Sequence, residues 1–336
     1  MILLLSQDSW ETTTEEVQDW IEALGGDSVR LNGEDLNGDD PFAMRFDSEG
    51  DGMSIRIGGR DVRPRDVGAV WMRRWHTYRN LPGADGTDAG GGDMRKHLQE
   101  ELRAATRALE MLLDGAHWLA RLGDRRVNKL EMLRLASRAG LRVPATLVTN
   151  DRAELQAFRY LHGRIITKPL AEGKMFSVGS ETFPMYTAEV TQADIDRAPP
   201  RFFPSLAQAM VEKEVEIRTF YLAGECHSMA IFSQGDRQTE LDFRRYNRVR
   251  PNRNVPYRLP QQVEAAVRRF MESVPLQTGS LDLIRTRDGE HVFLEVNPAG
   301  QFRMVSEPCN YRLEKRVAEH LIHLDEHAGR DTTPLS

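Results

Sequence analysis

Two stretches near the C-terminus, SLDLIR and FLEVNPAGQF, set Asp282, Glu295 and Asn297 into otherwise apolar runs. A charged or amide side chain in such a run is costly unless a partner satisfies it. Glu295 and Asn297 are two residues apart, so in an extended chain they share a face, and Asp282 on a neighbouring strand can join them. Together they offer hard oxygen donors, a set that suits Mg²⁺ and does not suit zinc. A cation of that kind keeps several waters and completes its shell with nucleotide phosphates. The plainer alternative is that Glu295 and Asn297 hold the turn before Pro298 while Asp282 caps a strand; the three-part arrangement favours the metal.

Positive charge is supplied upstream. Lys168 ends the stretch RIITK directly before Pro169, where an ammonium group suits phosphate. Lys129 follows Asn128 just inside a predicted helix start, adding a cation to a place already favourable for anions. Beyond Lys168 lies AEGKMFSVGSE, residues 171–181, with Gly173 and Gly179 on either side of Lys174. A loop closing over phosphates has this composition, as does an ordinary connector. In AQAMVEKEVEIRTFYL, an apolar strand predicted over Ala209–Val211 lets Met210 and Val211 offer backbone groups to an adenine edge. Glu212 or Glu216 can accept from ribose hydroxyls, and Arg218 can reach a phosphate or a carboxylate.

The elements that must position these groups follow from hydrophobic spacing. A strand is expected at Met1–Leu5, then a helix with Val17, Trp20, Ile21 and Leu24 on one face, a stop at Gly25-Gly26 and a strand at Ser28–Leu31. After Met53–Ile57 and Ala69–Trp71, the segment Gly83–Gly92 reads as a loop. Leu98, Leu102, Ala105, Leu109 and Leu112 form the stripe of a long helix predicted from Met94 to Leu122. A shorter helix, capped by Asn128 and stopped at Gly140, precedes the strand-like LRVPATLVT. Strands are expected at Arg164–Lys168, Ile217–Leu222 and Cys226–Phe232, the last two joined as a hairpin across Ala223-Gly224. A helix carrying Val263, Val267, Phe270 and Val274, strands at Gly279–Ile284 and His291–Val296, and a last helix with Val317, Leu321 and Leu324 complete the reading. Three regions result: an α/β domain over 1–122, a central α+β subdomain with the lid loop over 123–208, and a C-terminal antiparallel-sheet subdomain with the metal site over 209–330.

The 336 residues are enough for several subdomains with shared cores. An apolar fraction of 40% and 29% charged residues are those of an ordinary globular protein. Only Cys226 and Cys309 are present, which excludes a disulfide scaffold or a cysteine-rich metal site and fits a reducing cytoplasm. No window has the apolar length to cross a bilayer, and MILLLSQDSW lacks the basic leader and long apolar core of a signal peptide. The net charge of −6 disfavours general nucleic-acid binding. It conceals an arginine-rich loop over 237–258, with Arg244, Arg245 and Arg248 at its centre, suited to gripping carboxylates. The histidines show no paired metal spacing.

The order Asn128-Lys129, Ile166-Thr-Lys168-Pro169, Glu216-Ile-Arg218, Asp282 and Glu295-Val-Asn297-Pro298 resembles the ATP-grasp ligases across roughly residues 120–305. With MILLLSQDS, WMRRW at 71–75, DFRRYN at 242–247, PNRNVPYRLP at 251–260 and FLEVNPAGQF at 293–302, the chain looks like the peptide maturases that make graspetides, the microviridin-type and grasp-with-spasm-type enzymes. The resemblance implies the ATP-grasp fold with an N-terminal pre-ATP-grasp domain, and a ligase that joins Asp or Glu side chains of a ribosomally made precursor peptide to Ser, Thr or Lys side chains.

By the same resemblance Lys129 and Lys168 bind phosphates, Glu216 the ribose, and Asp282, Glu295 and Asn297 bind Mg²⁺. Arg218 contacts the γ-phosphate or acyl phosphate, and relatives suggest ester products and a homodimer. The sequence departs from many relatives in having Gln208-Ala209 where they have Gln-Glu. Arg244 and Arg245 are expected to hold acidic side chains of the peptide, and Arg73 and Arg74, between Trp71 and Trp75, form a second candidate patch. Two other readings are compatible with the residues: a ligase adding a free amine to a carboxylate, like RimK or glutathione synthetase, and a non-catalytic ATP-dependent peptide-binding module.

Overall fold

The computed structural model describes residues 1–8, 11–38, 42–45, 55–57, 59–75, 81, 91–121, 127–170, 175–178, 181–184, 187–234, 251–274 and 276–328. Contacts divide the chain into two units, Met1–Arg125 with Arg312–Ser336, and Arg126–Tyr311.

The first unit begins with β1 (Ile2–Ser6), α1 (Thr12–Ala23), β2 (Ser28–Asn32), β3 (Ala43–Met44), β4 (Ile55–Ile57), β5 (Arg60–Val62), β6 (Ala69–Met72), α2 (Gly91–Leu112) and β7 (His117–Ala120). Four strands form a parallel sheet in the order β2-β1-β6-β7. All five residues of β1 are buried, as an interior parallel strand covered on both faces requires. Strands β3, β4 and β5 form a small antiparallel sheet. The long helix expected to reach Leu122 stops at Leu112, and HWLA is instead a strand paired with β6. The apolar spacing persists through the turn because Leu113 and Trp118 are both core residues, and the indole N–H of Trp118 donates to the Leu113 carbonyl at 2.9 Å. Residues 83–90 of the expected glycine-rich loop lie outside the described residues, and its last two, Gly91 and Gly92, begin α2 instead.

The second unit contains α3 (Lys129–Arg138), β8 (Thr146–Asp151), α4 (Arg152–His162), β9 (Ile165–Thr167), β10 (Met175–Val178), β11 (Glu181–Pro184), β12 (Ala188–Val190), α5 (Gln192–Arg197), β13 (Arg201–Ala209), β14 (Val215–Leu222), β15 (Glu225–Phe232), β16 (Arg253–Tyr257), α6 (Gln261–Ser273), β17 (Thr278–Arg285), β18 (His291–Asn297) and α7 (Arg303–Cys309). A four-stranded sheet runs β12-β9-β13-β8 and a five-stranded one β16-β15-β14-β17-β18, both antiparallel. The remaining helix, α8 (Leu313–His327), belongs to the first unit, where it packs on α1 and the chain's own amino terminus reaches Asp325 at 2.6 Å.

Several expectations need correction. The strand placed at Ala209–Val211 ends at Ala209, so Met210, Val211 and Glu212 lie in the connector to β14; hydrophobicity alone does not mark where pairing stops. Part of the arginine-rich loop, Arg253–Tyr257, is an edge strand paired with β15. The loop over 171–181 contains strand residues: β10 and β11 pair as a hairpin, while 171–174 and 179–180 lie outside the described residues. Helices α4, α5 and α7 were not foreseen. The Ala223-Gly224 hairpin is as read, with both residues at positive φ, +44° and +95°. Such a turn matches the twist of the paired strands.

The core of the second unit lies between one face of the five-stranded sheet and helices α3 and α6. Ile217, Leu281, Leu283, Phe293 and Val296 meet Met132, Leu133, Val267 and Phe270 there. Phe270 and Phe293 are fully buried with ring centroids 5.1 Å apart, an aromatic pair worth about 0.5–1.5 kcal/mol beyond its burial. This packing fixes the sheet and leaves its opposite face for chemistry. Among the described residues no helix is long and apolar enough to cross a membrane.

Candidate active site

The opposite face is built by register. Arg218 on β14 is paired with Asp282 on β17, and Asp282 with Glu295 on β18, so the three stand in one line across three strands. One step along, Phe220, Ser280 and Asn297 form a second line. Side chains of directly paired residues point to the same side of a sheet, so Asp282, Glu295 and Asn297 share a face. A bulge makes this possible. Pairing steps from Leu283–Phe293 to Asp282–Glu295, leaving Leu294 as the extra residue. Without it, Phe293 and Glu295, two apart, would point the same way; with it, Phe293 enters the core and Glu295 turns to the site.

Cations meet this line. Arg218, 6% exposed at its side chain, donates from Nη1 to both oxygens of Asp282 at 2.9 Å. Its Nε is buried with no hydrogen-bond partner among the described residues. Lys129 begins α3, whose start is fixed by the Asn128 side chain accepting from the N–H groups of Leu130 and Glu131 at 2.9 and 3.3 Å. From there its Nζ lies 3.7 Å from Glu295 Oε2 and donates to the Pro169 carbonyl at 3.0 Å. Lys168, the residue before Pro169, is therefore brought to the same neighbourhood by its backbone. Asn297 accepts from the Ala299 N–H at 3.0 Å, so it also holds the turn before α7.

Glu216 precedes Arg218 by two and shares its face. It is 8% exposed, and burial pushes its carboxyl above the usual range, opposed by Lys213 and by Ser233. Lys213 forms an ion pair with Glu216, and the Ser233 hydroxyl donates to it at 2.7 Å. Sequence reasoning missed both. Lys213 sits three residues before Glu216 in a charged run that looks solvated, and only the fold shows its side chain 7% exposed. In the β13–β14 connector Met210 and Val211 are half-buried and Glu212 is exposed; the Met210 N–H already donates to the Arg164 carbonyl at 2.9 Å. Arg244, Arg245 and Arg248 lie outside the described residues.

The donor chemistry fits a nucleotide with a hard divalent ion. Two carboxylates and an amide supply oxygen only. An orphaned buried guanidinium N–H beside them asks for an anion. Among the described residues no set of three or more His, Cys, Asp or Glu is placed to hold a metal; a cation at this face would have to draw on the amide of Asn297 as well.

The model of the MvdD pre-ATP-grasp domain matches residues 1–126. Macrocyclase MdnC from Microcystis aeruginosa MRC, solved with its precursor peptide MdnA, is 25% identical, with 96% of this chain and 99% of that one covered and a TM-score of 0.82. The fold is that of an ATP-grasp ligase. An ATP-grasp ligase associated with ribosomal-peptide modification in Chryseobacterium gregarium, solved with ADP and a leader and core peptide, has the same fold at 21% identity, 96% coverage of each chain and a TM-score of 0.84. The ligase PsnB, solved with Mg, ADP and a variant of its minimal precursor, is 20% identical over 96% of this chain and 98% of that one, with a TM-score of 0.74. No curated protein sequence matches. The likeness to graspetide-type ATP-grasp enzymes read from the sequence is thus borne out, and the matched pre-ATP-grasp segment covers most of the first unit.

Proposed function

We propose that this ATP-grasp ligase closes macrocycles in a ribosomally made precursor peptide. The carrying observation is the line Arg218–Asp282–Glu295 with Lys129 within reach of its end. Carboxylates are poor electrophiles at neutral pH. An Asp or Glu oxygen of the peptide attacks the γ-phosphorus of ATP, ADP leaves, and the resulting acyl phosphate carries a competent leaving group. A Ser or Thr hydroxyl, or a Lys amine, then attacks the acyl carbon, its proton is lost and phosphate departs. The protein's share is positioning and charge neutralisation.

In this reading Lys129 and Lys168 hold phosphates, and Arg218 bears on the γ-phosphate and the acyl phosphate. Val211 and Met210, whose carbonyl rather than N–H is the group left for the base, line adenine. Glu212 and Glu216 are the carboxylates for the ribose, the second kept in place by Lys213 and Ser233. Asp282, Glu295 and Asn297 would hold Mg²⁺, which when bound neutralises phosphate charge. Arg244 and Arg245 grip acidic side chains of the peptide. Division of the second unit into a central subdomain to residue 208 and a C-terminal one from residue 209, with Leu313–His327 left to the first unit, sets the nucleotide between the lid hairpin and the antiparallel sheet. Ester linkages, a homodimer and a cytoplasmic setting complete the proposal.

The test is incubation of the purified chain with ATP, Mg²⁺ and a precursor carrying a leader and a core rich in Thr and acidic residues. ADP release with loss of one water per linkage from the peptide is expected. Gain of a residue mass from an added free amine would point to the amine-ligase reading. ATP-dependent peptide binding without ADP release would point to a binding module.

A further inference from the structure

Both carboxylates assigned to the metal are paired with cations assigned to the phosphates. Arg218 occupies both oxygens of Asp282, and Lys129 stands against Glu295. These contacts are reachable from water: Asp282, Glu295 and Lys129 side chains are 17, 27 and 21% exposed. A carboxylate that neutralises a cation presents less charge to a divalent ion, and the cation presents less to a phosphate. The third pair on this face differs. Lys213 and Glu216 are 7 and 11% exposed at the side chain and are locked further by Ser233.

On the ligase reading, we propose that the site works by partner exchange: a divalent ion draws Asp282 and Glu295 away from Arg218 and Lys129, and the two cations so released take the nucleotide's phosphates. Metal and nucleotide then tighten one another's binding by the same factor, as linkage requires. The Lys213–Glu216 pair stays closed and serves as the fixed wall. A consequence runs against the usual expectation for a metal-ligand variant. Removing Glu295's charge does to Lys129 what the metal does, so nucleotide binding without metal becomes tighter.

Calorimetric titration of ADP into the full chain, with Mg²⁺ and with EDTA, tests this in a cycle of Glu295→Gln, Lys129→Met and the double variant. Both side chains changed are partly exposed. Wild type should bind ADP more tightly with Mg²⁺ than with EDTA. In EDTA, Glu295→Gln should tighten ADP binding by about fivefold, the worth of a partly exposed ion pair, and its dependence on Mg²⁺ should shrink. In the Lys129→Met background the same Glu295 change should give no gain. A gain that persists without Lys129 would mean simple relief of charge repulsion, and no gain at all would mean the pair does not restrain Lys129; either overturns the exchange while leaving the ligase reading standing. Failure of wild type to bind ADP with Mg²⁺ would bring down that reading and the exchange with it.

Discussion

Each unit holds a guanidinium against a carboxylate at its principal sheet, and the two contacts are built to opposite ends. In the first unit Arg73 follows β6 and Glu11 precedes α1; their closest atoms are 2.6 Å apart, with side chains 4 and 1% exposed. Arg74, at φ +51°, brings a second Nε to 3.2 Å from the same carboxylate. Burial pulls the Arg73 guanidinium below its ordinary value, and Glu11 opposes that. In the second unit Asp282 and Glu295 keep a face toward water. A sealed pair commits its electrostatics to the fold, because losing one partner strands a charge without solvent. A reachable pair can trade partners. The patch Arg73-Arg74 between two tryptophans is accordingly packing at Arg73, whereas Arg218, buried to a similar degree, meets a carboxylate that is accessible.

The comparison can be broken in four ways. The largest effect on activity is expected for Asp282→Asn, which should reduce precursor-dependent ADP formation by at least about 100-fold, the scale of losing one preorganised electrostatic group, while far-ultraviolet circular dichroism stays that of the folded chain. Turnover within a few-fold of wild type would remove Asp282 from the site. Next, Glu11→Gln should cost about 3–5 kcal/mol in denaturant unfolding of the first unit, because the buried Arg73 loses its ion-pair partner. A loss under about 1 kcal/mol there would erase the contrast between the units. Third, Glu295→Gln should change the unfolding free energy of the second unit by less than about 1 kcal/mol, as for an exposed pair.

The smallest effect marks the exposed limit. Asp194 closes the capping box of α5, accepting from the Thr191 N–H and hydroxyl at 2.9 and 2.6 Å and from Arg197 at 2.7 Å. These bonds, the Thr191 hydroxyl first, bring its carboxyl from 3.8 down to about 2. Because the folded value lies below the unfolded one, the stabilisation is full above about pH 4 and is lost as pH falls through about 2. Unfolding curves of wild type and Asp194→Asn should therefore differ at pH 5 and converge near pH 2; a difference independent of pH would contradict the assignment.

Legibility in the sequence followed locality. Asn128, the Ala223-Gly224 turn, and strands β1, β14, β17 and β18 are set by spacing and caps within a few residues, and all could be read. Asp282, Glu295 and Asn297 announced themselves as polar intrusions into apolar runs. The strand His117–Ala120 was hidden because its apolar residues continue the helical stripe of α2, and only pairing with β6 distinguishes the two. Lys213 and Ser233 were hidden because burial of a lysine in a run of charges depends on what folds over it.

By itself the sequence determined the donor types, two carboxylates and an amide within two short strands, together with two upstream lysines and the ATP-grasp order in which they occur. Side-chain chemistry is a local property, and no fold can supply an oxygen ligand that the chain does not encode. Only the tertiary structure decided that Leu294 is bulged out so that Glu295 turns from the core toward Asp282. It alone decided which cation faces which carboxylate, and which of those pairs water can reach. Register and burial arise from strands and helices far apart in the chain, and their energies depend on partners no local spacing can name.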